Sequence, residues 1–484
     1  MLYRQKHDTF IRHYGDFGYI VNKANFTDRV VDTSGSVFLS ALSRQSQSIG
    51  QLCEKIAMSF IDVDMEMIKE DTTDFYAMLE EDGLIVSGET EEELDGKDKR
   101  FSYAAIDPSV AKIDFAAPPT NQTNGNTHDV LLERFKIKPH LVTLQIELTT
   151  RCNERCVHCY IPNDNKGSDI DPSFYYNVLE QCQEMGVLDL TLSGGEPFLH
   201  PQFCDFLRRA KSYDFSVSIL SNLTLLNDEI VAVMKAGRLT SIQVSLYSME
   251  SEIHDAITQM PGSFEKTKNA ILKLIESDIP VQVSCPIMKQ NKNCYGDVLK
   301  WANDHKCKAM ADYLLMGRCD NSVDNLDSRI SIGDVETLLH VIMKNDHAYR
   351  KEILNTDFTS METLDISNNI VCNVCVTSLG MGVNGNIYPC SGWQSYVCGN
   401  LKESSLRDIW ENSPKVNYMR NLRKKDFPMC IKCLDRFFCE MCMVRNANEA
   451  DGDYFKVNEH FCKVAASCRK IALGWKEKQL SGNN

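Results

Sequence analysis

Between residues ~140 and ~315 the chain alternates short runs of strand character with amphipathic stretches of helical length. The runs lie at 142–148, 189–193, 216–221, 241–246, 281–287 and 309–315, with helical spacing between them at 172–185, 205–213 and 264–276. Repeated strand–helix units set successive strands parallel, which predicts an α/β fold with a parallel sheet, open or curled toward a barrel. Ligands of such sheets sit beyond the carboxyl ends of the strands, so the loops that follow these runs are where chemistry is expected.

The whole chain has 484 residues, which suggests about three domains. Its 43% hydrophobic and 25% charged residues are an ordinary globular composition. Lys plus Arg (52) against Asp plus Glu (67) leaves a net charge of −15. That sign argues against a partner bound through phosphates, whether nucleic acid or an anionic membrane surface. No run approaches the ~18 apolar residues of a membrane span, and the first residues lack the apolar core of a signal peptide. A cytoplasmic protein with no membrane and no nucleic-acid partner is expected. Its 20 cysteines are then the anomaly, because a reducing compartment favours metal ligands or catalytic thiols over disulfides.

Cys152, Cys156 and Cys159 directly follow the first strand of the alternating region. Three thiolates at i, i+4 and i+7 can hold three corners of an iron–sulfur cubane and leave one iron open. A zinc site would need a fourth ligand, for which His158 has the spacing. Gly194-Gly195-Glu196-Pro197 ends the next strand, where adjacent glycines let backbone approach a ligand closely. One loop suited to metal and one glycine turn on the same sheet edge constrain the chemistry more than either alone.

These two motifs resemble those of radical S-adenosylmethionine (SAM) enzymes. The resemblance implies a partial (β/α)6 barrel with a [4Fe-4S] cluster on Cys152, Cys156 and Cys159. SAM would chelate the open iron, with its amino group held by the turn from Gly194 through Glu196 to Pro197. It further implies His158 beside the adenine, and Ser221, Asn222 and Ser245 lining the SAM pocket. Ser and Asn are equally favoured as plain strand-end caps. Reductive cleavage of SAM to a 5′-deoxyadenosyl radical would then remove an unactivated hydrogen from a substrate.

Ten of the cysteines lie between Cys372 and Cys468. The pattern Cys375-x9-Gly385-x4-Cys390, then Cys430-x2-Cys433-x5-Cys439-x2-Cys442, then Cys462, has no helical or strand period. Paired zinc knuckles are the alternative, although the gap between Cys433 and Cys439 is short for a zinc ribbon. The pattern resembles the SPASM extension, with x2 where x3 is commoner between the last pair. That resemblance implies two auxiliary [4Fe-4S] clusters, three on the chain in all. Cys375, Cys390 and Cys442 would hold the first, with Cys372 as its fourth ligand or an open iron in its place. Cys430, Cys433, Cys439 and Cys462 would hold the second. Cys398 and Cys468 fit no slot and read as buried thiols. Relatives that make formylglycine carry Asp where this chain has Ser391, which weighs against that reaction.

Residues ~10–87 read as a small α+β unit: strands at 17–22 and 26–32, a helix capped by Ser34 or Ser36, one from Ser48, one from Asp64 to Glu81, and a closing strand at 84–86. The third helix carries Met67, Phe75, Met78 and Leu79 as its apolar face, and it is acidic, which opposes a DNA-binding winged helix. The order resembles the winged-helix-like element that binds the leader of a precursor peptide as an added strand. The acidic run 89–95 and the segment 118–125 read as a solvated linker.

The expected organisation is thus a leader-recognition unit (1–87), a linker (88–138), the partial barrel (139–320), a helical bridge (321–371), a Cys-rich SPASM domain (372–468) and a tail (469–484). The expected function is a peptide maturase that forms oxidative cross-links, most simply Cys thioethers, with an electron donor such as flavodoxin or ferredoxin. Rival readings are C–C or C–O cross-linking, and epimerisation with Cys285, Cys307 or Cys319 as hydrogen donor. A zinc-binding peptide adaptor without catalysis is the non-enzyme alternative.

Overall fold

The computed structural model of the chain describes residues 1–62, 64–106, 127–162, 167–237, 239–362, 364–439 and 441–482. Its N-terminal unit contains β1 (Leu2–Gln5), β2 (Thr9–His13), β3 (Gly18–Asn22), β4 (Thr27–Val31), α1 (Thr33–Ala41), β5 (Gln47–Ser48), α2 (Ile49–Ala57), α3 (Met65–Glu81), β6 (Ile85–Gly88) and α4 (Glu91–Lys97). These strands make two three-stranded sheets, β5-β1-β6 and β2-β3-β4. The closing strand β6 therefore pairs with β1, antiparallel, and not with the β3–β4 hairpin. Charged side chains hide β1 and β2 from a reading of hydrophobicity, yet Tyr3 and Gln5 point inward.

Three local expectations change. Asp32 caps α1, accepting from Gly35 N at 2.8 Å, while Ser34 and Ser36 lie inside the helix. On α3 the core positions are Ile68, Thr72, Tyr76 and Leu79, and Met67 points outward at 59% exposure. The acidic run is not a solvated tether: Thr90 caps α4, Leu94 is fully buried, and Arg4 lies between Asp95 (2.7 Å) and Asp98 (3.3 Å). Three acids in the first turn suit the positive end of that helix. The segment 118–125 lies outside the described residues.

Helix α5 (Thr127–Ile137) leads into the central domain, whose elements run β7 (Thr143–Thr149), α6 (Pro172–Glu184), β8 (Asp189–Gly194), α7 (Phe203–Ser212), β9 (Ser216–Leu220), α8 (Asp228–Ala236), β10 (Leu239–Ser245), α9 (Ser251–Thr258), α10 (Ser263–Glu276), β11 (Val281–Pro286), α11 (Tyr295–Asp304) and β12 (Lys308–Asp312). Strands β7 to β12 are parallel and lie side by side in chain order, as the alternation predicts. Helices α12 (Ile332–Asn345), α13 (His347–Asn355) and α14 (Phe358–Glu362) form the bridge.

The C-terminal region adds β13 (Ser378–Met381), β14 (Asn386–Tyr388), β15 (Gly399–Asn400), α15 (Leu406–Asn412), α16 (Pro414–Asn421), α17 (Pro428–Ile431), α18 (Met443–Asn448) and α19 (Glu459–Leu480). Strand β13 pairs parallel with β7, from Ser378 beside Thr143 to Met381 beside Ile146, so one nine-stranded sheet crosses from the barrel into the Cys-rich region. The expected tail is mostly helix, because α19 continues to Leu480.

The N-terminal unit is moored to the amino ends of the barrel strands. Arg12 donates to Val187 O (2.8 Å) and Asp214 O (2.7 Å), Lys23 pairs with Asp189 (2.9 Å), and Arg44 with Asp214 (2.7 Å). Tyr14, Phe17, Phe135 and Leu188 pack together beneath them. No helix of the described residues is long and apolar enough to cross a membrane.

Candidate active site

Strand β7 has two faces. Leu144, Ile146 and Leu148 are fully buried in the core shared with the helices, while Gln145, Glu147 and Thr149 occupy the other face. That second face is polar across the sheet: Gln145 stands beside Thr191, Glu147 beside Ser193, Thr191 beside Ser218, and Gln243 beside Gln282. Polar side chains on the inner face of a buried sheet need partners, and Gln145 donates to Ser193 Oγ at 2.9 Å.

At the carboxyl edge the cysteine loop and the glycine turn clasp each other through backbone. Gly195 N donates to Thr149 O and Glu196 N to Arg151 O, both at 2.8 Å. A Cβ on Gly194 would stand 2.2 Å from Thr149 O, and one on Gly195 2.2 Å from Arg151 O. Gly194 also has φ +130, a conformation that side chains resist. The fully buried Glu196 carboxylate accepts from Phe198 N (3.0 Å), Ser221 Oγ (2.8 Å) and Asn222 N (2.8 Å). Burial raises its pKa to about 7 against the pull of those three donors. Pro197 starts the short 3-10 turn Pro197–Leu199.

Ser221 and Asn222 thus brace the turn, and Asn222 Nδ2 also donates to Asn153 Oδ1 in the cysteine loop at 3.0 Å. Ser245 ends β10 and hydrogen-bonds Tyr247. His158 Nε2 lies 2.9 Å from Tyr247 OH, the rings meeting edge to face at 5.3 Å, and burial lowers the His158 pKa to about 4. Tyr247, two residues beyond β10, has no motif around it, and the sequence gives no sign of it.

Cys152, Cys156 and Cys159 are half-buried on their loop. Burial, then Glu154, Cys159 and Cys152, push the Cys156 thiol well above its ordinary range. A cationic metal centre reverses that cost, since a coordinating thiol is deprotonated outright; among the described residues no three such side chains converge tightly enough for a single metal ion, so these thiols suit the corners of a larger iron–sulfur cluster rather than one zinc. Loops after other strands hold this one in place. Val157 N donates to Ile257 O (3.0 Å), Arg318 to Cys159 O (2.9 Å) and Cys319 N to Tyr160 O (2.9 Å).

The C-terminal cysteines divide into groups. Burial together with Cys462 and Cys433 pushes the Cys430 thiol up, and the same set with Cys430 raises Cys439 to about 12. Cys390 is raised to about 11 by burial, with Cys442 and Cys372 as its charged neighbours. Cys375 is fully buried and its thiol is engaged with Cys398, while also feeling Cys372. Cys468 lies 3.6 Å from Tyr313 OH. Of the remaining thiols, Cys285 packs in the helix-side core and Cys307 is engaged with Tyr103; Cys319 alone of these three has Cys159 as an electrostatic neighbour.

One more group joins the two halves. Gln394 Nε2 donates to Glu147 Oε1 at 2.7 Å, across 247 residues of chain. Asn448 Nδ2 bridges Gly317 O (3.0 Å) and Gly392 O (3.1 Å), and Arg329 pairs with Glu449, both nearly buried.

Residues 146–302 match the radical SAM superfamily, and residues 372–434 match the SPASM iron–sulfur cluster-binding domain. The AdoMet-dependent heme synthase of Methanosarcina barkeri is 27% identical over 341 residues, 65% of this chain and 94% of that protein. The antilisterial bacteriocin subtilosin biosynthesis protein AlbA of Bacillus subtilis is 25% identical over 316 residues, 62% of this chain and 67% of that one. Streptococcus suis SuiB, solved bound to the precursor peptide SuiA, has the same fold over 95% of this chain and 99% of its own, with TM-score 0.60 and 15% identity. The chain thus carries a radical SAM domain over residues 146–302 and a SPASM iron–sulfur cluster-binding domain over residues 372–434, domains whose cofactors are S-adenosylmethionine and [4Fe-4S] clusters.

Proposed function

We propose that this enzyme is a maturase that installs oxidative cross-links, C–S bonds of Cys thioethers, in a ribosomally made precursor peptide. The observation that carries this reading is the fold shared along almost the whole chain with SuiB, whose structure holds a precursor peptide. AlbA, a bacteriocin biosynthesis protein, supports it from sequence.

Cys152, Cys156 and Cys159 would hold the SAM-binding cluster. Cys372, Cys390 and Cys442, with Cys375, would hold the first auxiliary cluster, and Cys430, Cys433, Cys439 and Cys462 the second. SAM on its cluster supplies the radical that removes a substrate hydrogen. The residues of the chain do the rest. The Gly194–Gly195 turn presents backbone to the SAM amino group. Ser221 and Asn222 keep Glu196 in place behind it. His158, held by Tyr247, stays neutral at physiological pH and offers an aromatic face to adenine.

The N-terminal unit would bind the leader. Among the described residues strand β4 is an edge strand paired with β3 alone, the kind of edge to which a peptide strand can be added. Met58, Ile61, Met65 and Met67 stand exposed before and along the first turn of α3, whose other end is tied to β4 by the Arg29–Asp82 pair. The proposed setting is the cytoplasm, with a flavodoxin or ferredoxin as electron donor.

The test is the mass of a co-expressed Cys-containing precursor peptide after anaerobic reaction. Each link should remove two hydrogens and protect one Cys from alkylation. Unchanged mass contradicts the reading, and the same loss with every thiol free to alkylate indicates C–C or C–O bonds. Cys319, the one candidate donor near the cysteine loop, favours epimerisation as the second reading; it predicts no mass change and deuterium uptake from solvent at one Cα.

A further inference from the structure

Glu147 is 3% exposed, on the polar inner face of β7, with Gln394 as the only hydrogen-bond partner of its side chain among the described residues. No Lys or Arg of those residues pairs with it. The other carboxylates of that face differ: Asp189 lies at the far end, paired with Lys23, and Asp312 is exposed at the end of β12. A buried carboxylate with one amide donor and no cation opposes folding, and such groups cluster where chemistry needs them. Its titratable neighbours come from three other elements: Tyr160 on the loop after β7, Cys319 after β12, and Tyr388 on β14. Tyr160 also has Cys159 and Cys390 as neighbours, one from each cysteine group. Glu147 therefore stands between the barrel cysteines and those of the C-terminal region, at the seam where β7 meets β13.

We infer that Glu147, aimed by Gln394, is the proton acceptor for the peptide nucleophile that enters this seam, a Cys thiol in the proposed reaction. The inference rests on the peptide cross-linking reading. In the step the S–H bond breaks, an O–H bond forms on Glu147, and no electron moves, so the peptide is left as a thiolate ready to bond carbon. Gln394 is a positioning residue: by donating to Oε1 it leaves Oε2 to take the proton. Burial raises the Glu147 pKa to about 8, opposed by the Gln394 hydrogen bond, which brings it near the ordinary range of a thiol, about 8.5.

Two measurements test this on the full-length protein. Infrared difference spectra of parent minus Glu147→Gln should show a protonated carboxyl band that is lost with a midpoint near 8, and Gln394→Leu should move that midpoint upward. A carboxyl still protonated at pH 9, with no oxygen ready to take a proton, overturns the inference. In anaerobic reactions of the loaded enzyme with the precursor, cross-links per 5′-deoxyadenosine should fall about 100-fold in E147Q, with partial recovery and a shifted pH profile in E147D. Equal cross-linking by parent and E147Q overturns the assignment of Glu147 alone. A parent that leaves the peptide mass unchanged overturns the cross-linking reading together with this task for Glu147.

Discussion

Gly194 and Gly195 sit where any side chain would enter the backbone of the cysteine loop. Gly195→Ala is expected to destabilise the protein by about 2–4 kcal/mol, because the clashing atom is the Arg151 carbonyl oxygen, backbone of the cysteine loop that cannot yield cheaply. Thermal unfolding of the purified chain reads this, together with lower iron retention. Glu147 makes a prediction of opposite sign. Its folded pKa lies above the ordinary carboxyl value, so the native state binds a proton that the unfolded state has released. Stability from this group is present below about 4.5 and is lost as pH rises toward about 8, at about 1.4 kcal/mol per unit. Parent and E147Q melting temperatures should therefore diverge as pH rises from 5 to 8, with E147Q the more stable at pH 8. A constant difference across that range contradicts a buried neutral Glu147. The motif residues were visible in the sequence because their spacing is local. Glu147 was not, since its partner Gln394 arrives from a strand addition 247 residues away.

At the scale of elements, the parallel strands were legible because apolar and polar residues alternate along them at strand period, between stretches of helical spacing. The N-terminal strands were not, because β1 and β2 are short and polar outside, and their pairing decides what is a strand. Helix α4 shows the limit of composition. Its sequence looks like a charged tether, yet Leu94 anchors it and Arg4 holds its acids. Leu94→Ala should cost about 2–4 kcal/mol, whereas Glu92→Ala on the exposed side should change stability by less than about 0.5 kcal/mol. Chemical denaturation of the two variants separates a packed helix from a linker, since a tether would make them equal.

For the whole molecule, the N-terminal unit is fixed to the amino ends of the strands while the cysteine loop lies at their carboxyl ends. A peptide bound at β4 must run around the barrel to reach the site, so reactive residues should lie well downstream of the segment that binds. Truncating the precursor between the two tests this: cross-linking should fall once the spacer is shortened, while leader binding persists. The sheet that continues from β7 into β13 holds the two cysteine regions in one body. Within the second region the cysteines are unequal. Cys398→Ala should retain the parental iron content, because Cys398 fits no slot of the cysteine pattern and is a buried thiol packed on Cys375, whereas Cys372→Ala should lose iron from the first auxiliary cluster.

That three clusters share this one chain is tested most directly by counting iron and acid-labile sulfide per chain after anaerobic reconstitution. The parent should bind about twelve irons, and the variant with Cys152, Cys156 and Cys159 all changed to Ala about eight. Four irons or fewer in the parent, with zinc in their place, would contradict the auxiliary clusters.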